Sequence, residues 1–328
     1  MCKGVFALHT LVTGGAGFIG SHLTEALLKK GYSVSVLDNL SSGHRQNLSS
    51  IQHSYDLNFI AGDCRSPSDI ERALKNVDTV FHFAANPELR LYLADPKKCY
   101  EQNIEATYIM LEGIRRSNVT SIVFTSSSTV YGDAAVIPTP ENYGPLEPIS
   151  VYGASKLACE ALISSYCHSF KKKGTLIRLA NVVGPRSNHG AIYDFIQKLR
   201  KNPTELEILG DGTQTKSYLY IDDCIDAIMK AYESTQEPVE IYNVGSEDQT
   251  NVTEIAHTVI NGMKLTNVKL KYTGGVDGGR GWIGDVKNML LDINKLKKLG
   301  WKPKLNSQQA VKETAEHLIA EQEKQHPK

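Results

Sequence analysis

A doubly wound, parallel α/β sheet is the fold class this sequence predicts, followed by a smaller α/β region toward the C-terminus. Three observations predict it. Short apolar runs alternate with amphipathic helical patterns through the first half of the chain, the order that right-handed β–α–β crossovers produce. The run Thr79 to Ala84 is nearly all apolar, as expected of a strand covered on both faces. A glycine-rich stretch, Thr13-Gly14-Gly15-Ala16-Gly17-Phe18-Ile19-Gly20, lies between the first expected strand and the first expected helix.

The elements follow in order. Ala7 to Val12 reads as a strand. Phe18 to Lys30 reads as a helix, with Ile19, Leu23, Ala26 and Leu27 on one stripe and Gly31 just past its end. Ser33 to Leu37 and Leu57 to Ile60 are the next strands, and Pro67 to Leu74 is a short helix. A long helical pattern runs from about Asp95 to Arg116. The strand Ser121–Phe124, the helix Tyr152–Phe170 and the strand Thr175–Leu179 complete the first half, with Lys171-Lys172-Lys173 expected to close that helix. In the second half, helices are expected at Ala191–Arg200, Asp222–Tyr232, Val252–Asn261, Asn294–Leu299 and Ser307–Glu323. Strands are expected near Leu206–Leu209, Ile241–Val244 and Val268–Tyr272. Gly274 to Gly281 holds five glycines in eight residues and reads as a loop. Glu321 to Lys328 is expected to fray.

The chain has 328 residues, which at ~150 per domain suggests two domains. Residues 1–181 with about 212–245 are expected to form one, and 182–211 with 246–328 the other. Lys+Arg and Asp+Glu both total 36, a zero balance that argues against a nucleic-acid surface. No apolar run is long enough to span a membrane. Val5 to Leu8 is too short for a signal-peptide core, so a cytosolic protein is expected. The cysteines Cys2, Cys64, Cys99, Cys159, Cys167 and Cys224 form no CxxC pair. They are expected to be free thiols, and no metal is expected.

The glycine stretch has a physical reading. Gly14 permits a tight turn, and Gly20 lets helix and strand pack closely. Gly17 lets a pyrophosphate reach the helix N-terminus, where free N–H groups and the helix dipole favour an anion. Asp38, at the end of the second strand, places a carboxylate where it can bond ribose hydroxyls and repel a 2′-phosphate. NAD is therefore expected rather than NADP. Asp63, after the third strand, is a candidate for the adenine side.

Tyr152-Gly153-Ala154-Ser155-Lys156 spells YxxxK. Positions i and i+4 share a helix face, so phenol and ammonium can address one site. A free tyrosine ionises near ~10, and an adjacent ammonium stabilises the phenolate, bringing it toward use as a base at neutral pH. Thr125-Ser126-Ser127-Ser128 follows an expected strand at its carboxyl end, where open α/β sheets bind ligands.

Taken together, TGGAGFIG, the strand-end Asp38-Asn39, HFAA, SSSTVYG, YGASK and RGWIGD resemble the extended short-chain dehydrogenase/reductase family, in its sugar-nucleotide epimerase/dehydratase branch. The resemblance runs from Leu8 to about Pro303. It implies a Rossmann-type sheet carrying NAD and a smaller domain for a UDP-sugar. It makes Ser127, Tyr152 and Lys156 the catalytic set. Gly14, Gly17, Phe18, Ile19, Gly20, Asp38, Asn39, Ser42, Gly43, Asp63, Cys64, Phe83, Ala84, Ala85, Asn103, Tyr152 and Lys156 would hold the cofactor. Ser127, Ser128, Asn181, Gly190, Lys216, Tyr218, Arg280, Asp285 and Met289 would hold the substrate. A homodimer is implied, in which the helices Asp95–Arg116 and Tyr152–Phe170 pair with their copies.

Three positions depart from the family pattern. Ala85-Asn86-Pro87 stands where many relatives have a lysine. Lys216 replaces an arginine, keeping the charge but losing the bidentate fork. Met289 occupies the gate beside the sugar's 2-substituent, where its flexible thioether leaves acetamido sugars open. The activity implied first is 4-epimerisation of UDP-glucose and UDP-galactose. Epimerisation of UDP-N-acetylglucosamine or UDP-glucuronate, NAD(H)-dependent reduction of a 4-keto sugar nucleotide, and a non-catalytic NAD sensor are the alternatives.

Overall fold

Strand and helix alternate from the start of the computed structural model, which describes residues 8–86 and 94–325. Cys2, most of the Val5–Leu8 run, Pro87 and the last three residues of the expected frayed end lie outside the described residues. β1 (His9–Thr13), β2 (Ser33–Asp38), β3 (Leu57–Ala61), β4 (Thr79–His82), β5 (Ser121–Ser127), β6 (Lys173–Leu179) and a later strand, Val239–Val244, form one seven-stranded sheet. From one edge, the order is Val239–Val244, β6, β5, β4, β1, β2, β3. The pairings of β1 with β2 and β4, of β2 with β3, and of β4 with β5 are parallel. The chain reverses its direction of travel across the sheet between β1 and β4, the switch point at which such sheets bind ligands outside the strands' carboxyl ends. The expected Rossmann-type sheet is present, and all four residues of β4 are buried.

The chain divides into two compact units. The first comprises Met1–Ser126, Ala154–Ile177 and Ala231–Tyr242; the second comprises Ser127–Gly153, Arg178–Lys230 and Asn243–Lys328. Residues 127–153, 178–181, 212–230 and 243–245 thus gather with the second unit, where the sequence reading groups them with the first domain. The first unit's core joins Leu11, Val80, Ile122 and Phe124 of the sheet to Met110, Leu111 and Ile163 of the covering helices. At ~25 cal/mol per Å² of apolar surface removed from water, this burial is the dominant stabilising term.

The Asp95–Arg116 pattern is helical from Pro96 to Arg115, but in three parts: a single α-helical turn at Pro96–Cys99, a π-helical stretch at Tyr100–Glu105 and an α-helix at Ala106–Arg115. The helix Val151–Phe170 ends where expected, at Phe170, with the lysine run directly after it. Lys171 turns left-handed at φ 52°, Lys172 Nζ donates to the Ser117 and Val119 carbonyls, and Lys173 opens β6.

In the second unit, Asn181–Val183 pairs in parallel with Tyr218–Tyr220. Thr250–Asn251, Thr215–Lys216 and Asn288–Met289 form a three-stranded sheet. The helices Ala191–Lys201, Val252–Gly262 and Ser307–Gln325 enclose a core that includes Ile196, Leu206, Val259, Val311 and Leu318. Asn251 and Glu254 form a capping box at the start of the second of these helices, satisfying two backbone donors reciprocally.

Candidate active site

The glycine loop joins β1 to the helix α1 (Phe18–Lys29). Gly14 sits at φ +68° and donates its N–H to the Leu37 carbonyl at 2.9 Å. A Cβ on Gly20 would lie 2.1 Å from the Gly14 carbonyl oxygen, so any larger residue would force turn and helix apart. Gly43 is also constrained, since its Cβ would meet the Ala16 backbone at 2.8 Å. The N-terminus of α1 has no side-chain cap and no acidic residue in its first turn. Its free N–H groups and positive dipole end suit a phosphate anion.

Asp38 is 7% exposed. Its Oδ2 accepts from Ala16 N at 2.9 Å and its Oδ1 from Leu40 N at 2.8 Å. The glycine loop therefore positions the carboxylate, leaving each oxygen a further lone pair for a ribose hydroxyl. Asn39 Nδ2 donates to Asp63 Oδ2 at 2.9 Å, and Arg65 makes a two-pronged contact to Asp63 at 3.0 and 2.8 Å. The Arg65 guanidinium holds the Asp63 carboxyl well below the usual carboxylate range. Burial pushes the neighbouring Cys64 thiol up to about 12, so Cys64 is an inert wall residue. Thr13 Oγ1 accepts from both Phe83 N and Ala84 N at 3.1 Å. Ala85 follows half-buried, and Ser42 is exposed.

Asn103 lies within the π-helical stretch and is 3% exposed. Its Nδ2 donates to Ser155 Oγ at 2.9 Å, and its main-chain carbonyl accepts from the Cys159 thiol at 3.4 Å. Its Oδ1 is buried without a partner. Leaving such an acceptor unmade costs ~1–3 kcal/mol. An orphaned acceptor of this kind, with the bare glycine cradle and Asp38, fits a dinucleotide such as NAD.

Two elements carry the catalytic candidates. Strand β5 ends at Ser127, whose hydroxyl accepts from Thr129 N at 3.2 Å and Thr129 Oγ1 at 3.0 Å. Ser128, 8% exposed, opens the short 3-10 turn that runs to Tyr131. Tyr152 stands in the first turn of the helix Val151–Phe170, and Lys156 one turn later. Gly153 permits this placement, because a Cβ there would lie 2.7 Å from the Thr129 carbonyl oxygen. Lys156 is 3% exposed. Its Nζ donates to the Thr125 carbonyl at 2.8 Å and lies 4.7 Å from the Phe124 ring centre. Burial lowers the Lys156 ammonium to about 8. Burial also lowers His82 to about 3, so at neutral pH this ring is uncharged between Thr13 Oγ1 and Thr107 Oγ1.

The second unit brings the substrate candidates together in pairs. Asn181 and Tyr218 are register partners, and the Asn181 Nδ2 is buried without a partner. Burial and the charge of Asp285 push the Tyr218 phenol up. Lys216 and Met289 are also register partners. Lys216 Nζ reaches Asp285 Oδ1 at 2.5 Å and lies 5.4 Å from the Trp282 ring centre. Arg280 forks onto Asp133 at 3.0 and 2.8 Å and donates to the Asp285 carbonyl at 2.5 Å. Gly190, at φ +91°, precedes the helix Ala191–Lys201 with open space around it.

Sequence reasoning missed Asp133 and Glu160, and it gave no separate part to Ser126, His82 or Trp282, which stand inside the motifs it used. Asp133 lies too far from Arg280 in sequence for any local pattern to link them. Glu160 was within reach, since it continues the spacing of four that joins Tyr152 to Lys156.

Known proteins of similar sequence and fold point to one family. The crystal structure of a UDP-galactose 4-epimerase matches with a TM-score of 0.85 and 44% identity, covering 96% of this chain and 99% of that one. A UDP-N-acetylglucosamine 4-epimerase from Methanobrevibacter ruminantium matches at 0.84 and 29%, over 96% and 99%. The UDP-glucose 4-epimerase of Mycolicibacterium smegmatis is 32% identical over 94% of this chain and 98% of its own length. Relatives of other activities also match: a human dTDP-D-glucose 4,6-dehydratase at 29% identity and a UDP-glucuronic acid decarboxylase of Arabidopsis thaliana at 31%. Residues 10–245 match the NAD dependent epimerase/dehydratase family, and with the glycine cradle and the Tyr152–Lys156 helix in place, the chain belongs to that family.

Proposed function

We propose that this chain is a 4-epimerase interconverting UDP-glucose and UDP-galactose, with NAD in the first unit and the nucleotide sugar held by residues of the second. The observation that carries this reading is the turn after β5. Ser127, Ser128 and Thr129 are all hydroxyl residues, and Ser127 and Thr129 bond each other. Eliminating water from a keto sugar needs a base for the C5 proton and an acid for the departing hydroxyl. The family resemblance implies a carboxyl side chain in this turn for members that dehydrate or decarboxylate, and positions 128 and 129 here are Ser and Thr.

The residues then take these roles. Tyr152 accepts the proton of the C4 hydroxyl, and Ser127 donates a hydrogen bond to the same oxygen. Lys156 supplies the positive charge that favours the Tyr152 phenolate. Gly14, Gly17 and Gly20 leave room for a pyrophosphate at the α1 N-terminus, while Asp38 takes the ribose and disfavours a 2′-phosphate. NAD, when bound, supplies the hydride acceptor for C4 and the donor for its return. Lys216 and Arg280 supply positive charge for the substrate diphosphate, Asn181 an amide donor and Asp285 a ribose acceptor. Arg280 must exchange its Asp133 contact for phosphate, a like-for-like swap of anions.

The test uses the purified protein with UDP-galactose and no added cofactor, followed by NMR. UDP-glucose should appear, and denaturation should release NAD. Tyr152→Phe should keep the NAD and lower turnover at least ~100-fold, the usual contribution of a general base. Formation of a dehydrated or decarboxylated sugar, or turnover only with added NADH, would overturn the reading.

A further inference from the structure

Glu160 is a carboxylate inside the first unit that none of the roles above uses. It is 4% exposed and stands one turn beyond Lys156 on the helix Val151–Phe170. Ser126, itself 3% exposed, donates its hydroxyl to Glu160 Oε1 at 2.5 Å. A buried carboxylate is costly unless it is bonded and its charge is answered. Ser126 supplies the bond, and an opposite charge, Lys156, stands one turn away on the same helix. Ser126 is the residue before Ser127, and Thr125, the residue before that, offers its carbonyl to Lys156 Nζ at 2.8 Å.

Two consecutive residues at the carboxyl end of β5 are therefore tied to two consecutive turns of one helix. Lys156 grips the Thr125 carbonyl and Glu160 grips the Ser126 hydroxyl. The strand runs on from these ties to Ser127, and the helix begins one turn before them at Tyr152.

Charge adds to geometry. Cys159 and Glu160 from its own helix and Cys99 from the segment Pro96–Cys99 act on Lys156, Lys156 in turn acts on His82 of β4, and Tyr152 stands one turn before it on the same helix. Burial keeps His82 neutral and pushes the thiols of Cys99 and Cys159 up. Burial lowers the Lys156 ammonium, while Cys159, Cys99 and Glu160, in that order, act to raise it.

We propose that Glu160 is a positioning residue of the catalytic constellation: through Ser126 it fixes the end of β5 on the helix, and its charge acts on Lys156 one turn away. The proposal rests on the catalytic reading of Tyr152 and Lys156, and its test is separable from that reading.

The experiment follows Lys156 itself by NMR of Cε-labelled lysine in the NAD-loaded protein. Its resonance is identified by its loss in Lys156→Met. Glu160→Gln should move the Lys156 titration to lower pH by on the order of half a unit to one unit, because an opposite charge has been removed. The alkaline limb of the turnover profile should move the same way. Ser126→Ala removes the tether and leaves the charge, so it should lower turnover while the lysine titrates as in the wild type. Glu160→Asp keeps the charge but is too short for the 2.5 Å contact. It should behave like Ser126→Ala, and it serves if Glu160→Gln does not fold. A Lys156 titration unmoved by Glu160→Gln, or moved equally by Ser126→Ala, would overturn the proposal. Full turnover in Tyr152→Phe would instead overturn the catalytic reading and leave the titration result standing.

Discussion

At Met289, two readings of one side chain meet. It is 8% exposed, pairs with Lys216 across a short sheet and accepts Ser217 N on its carbonyl at 3.0 Å. It is therefore a packed residue on a strand paired with the one that carries the substrate candidate Lys216. A thioether there can change rotamer at little cost. We expect the main activity on UDP-glucose and UDP-galactose, with weaker action on the N-acetyl pair. Met289→Tyr should remove the second and spare the first, measured as the ratio of the two turnover rates. An unchanged ratio with a lowered melting temperature would make Met289 core alone, because overpacking a core costs ~1–3 kcal/mol. His82 yields a pH prediction. Burial lowers it from 6.5 to about 3, so the unfolded chain binds more protons between those values and stability must fall as pH drops through them. A tenfold difference in proton affinity between the folded and unfolded chains is worth about 1.4 kcal/mol. Denaturant titrations should show this loss reduced in His82→Gln; an identical acid profile would refute it. The placement of neighbours in sequence, such as Gly14 to Gly20 before α1 or Tyr152 and Lys156 on one helix, was legible. The Arg280–Asp133 fork was not, because its partners stand 147 residues apart.

The glycine loop shows best how one element constrains another. Gly20 faces the Gly14 carbonyl oxygen so closely that Gly20→Ala must push α1 away from the turn. That substitution should strip NAD from the purified protein, read by absorbance after denaturation, and lower the melting temperature. Gly31 offers a control. It sits at φ +84°, and an alanine Cβ there would have nothing within 4 Å, so the substitution costs only the left-handed strain, ~1–2 kcal/mol. Gly31→Ala should lose stability and keep NAD; loss of NAD from both variants would mean that general unfolding, not the cradle, explains the first. Long amphipathic elements were legible from periodicity. The strands Thr215–Lys216, Thr250–Asn251 and Asn288–Met289 were not, since two residues cannot display an alternation. The π-helical stretch at Tyr100–Glu105 was equally hidden. A five-residue hydrogen-bond step changes which groups face the core without changing composition, and here the Asn103 carbonyl accepts both the Ala106 N–H and the Cys159 thiol.

The whole molecule poses a question of assembly. Within the first unit, Tyr100, Tyr108 and Phe170 are 54%, 49% and 42% exposed on the two helical segments that the family resemblance places at a dimer contact. Beside them Glu112 is gripped by Arg115 at 3.0 and 2.9 Å, by Arg116 at 3.0 Å and by the Tyr166 hydroxyl at 2.8 Å. The Tyr166 and Phe170 rings lie 5.2 Å apart. Aromatic residues beside satisfied charges are the composition that protein interfaces favour. We expect a homodimer through this face. Light scattering at micromolar concentration should give the mass of two chains, and Tyr108→Glu should give the mass of one. Since a dimer's stability depends on protomer concentration, the wild-type melting temperature should rise with concentration and that of Tyr108→Glu should not. A wild-type mass of one chain would refute the dimer and leave these rings as the outer edge of broad-faced helices that cover the sheet.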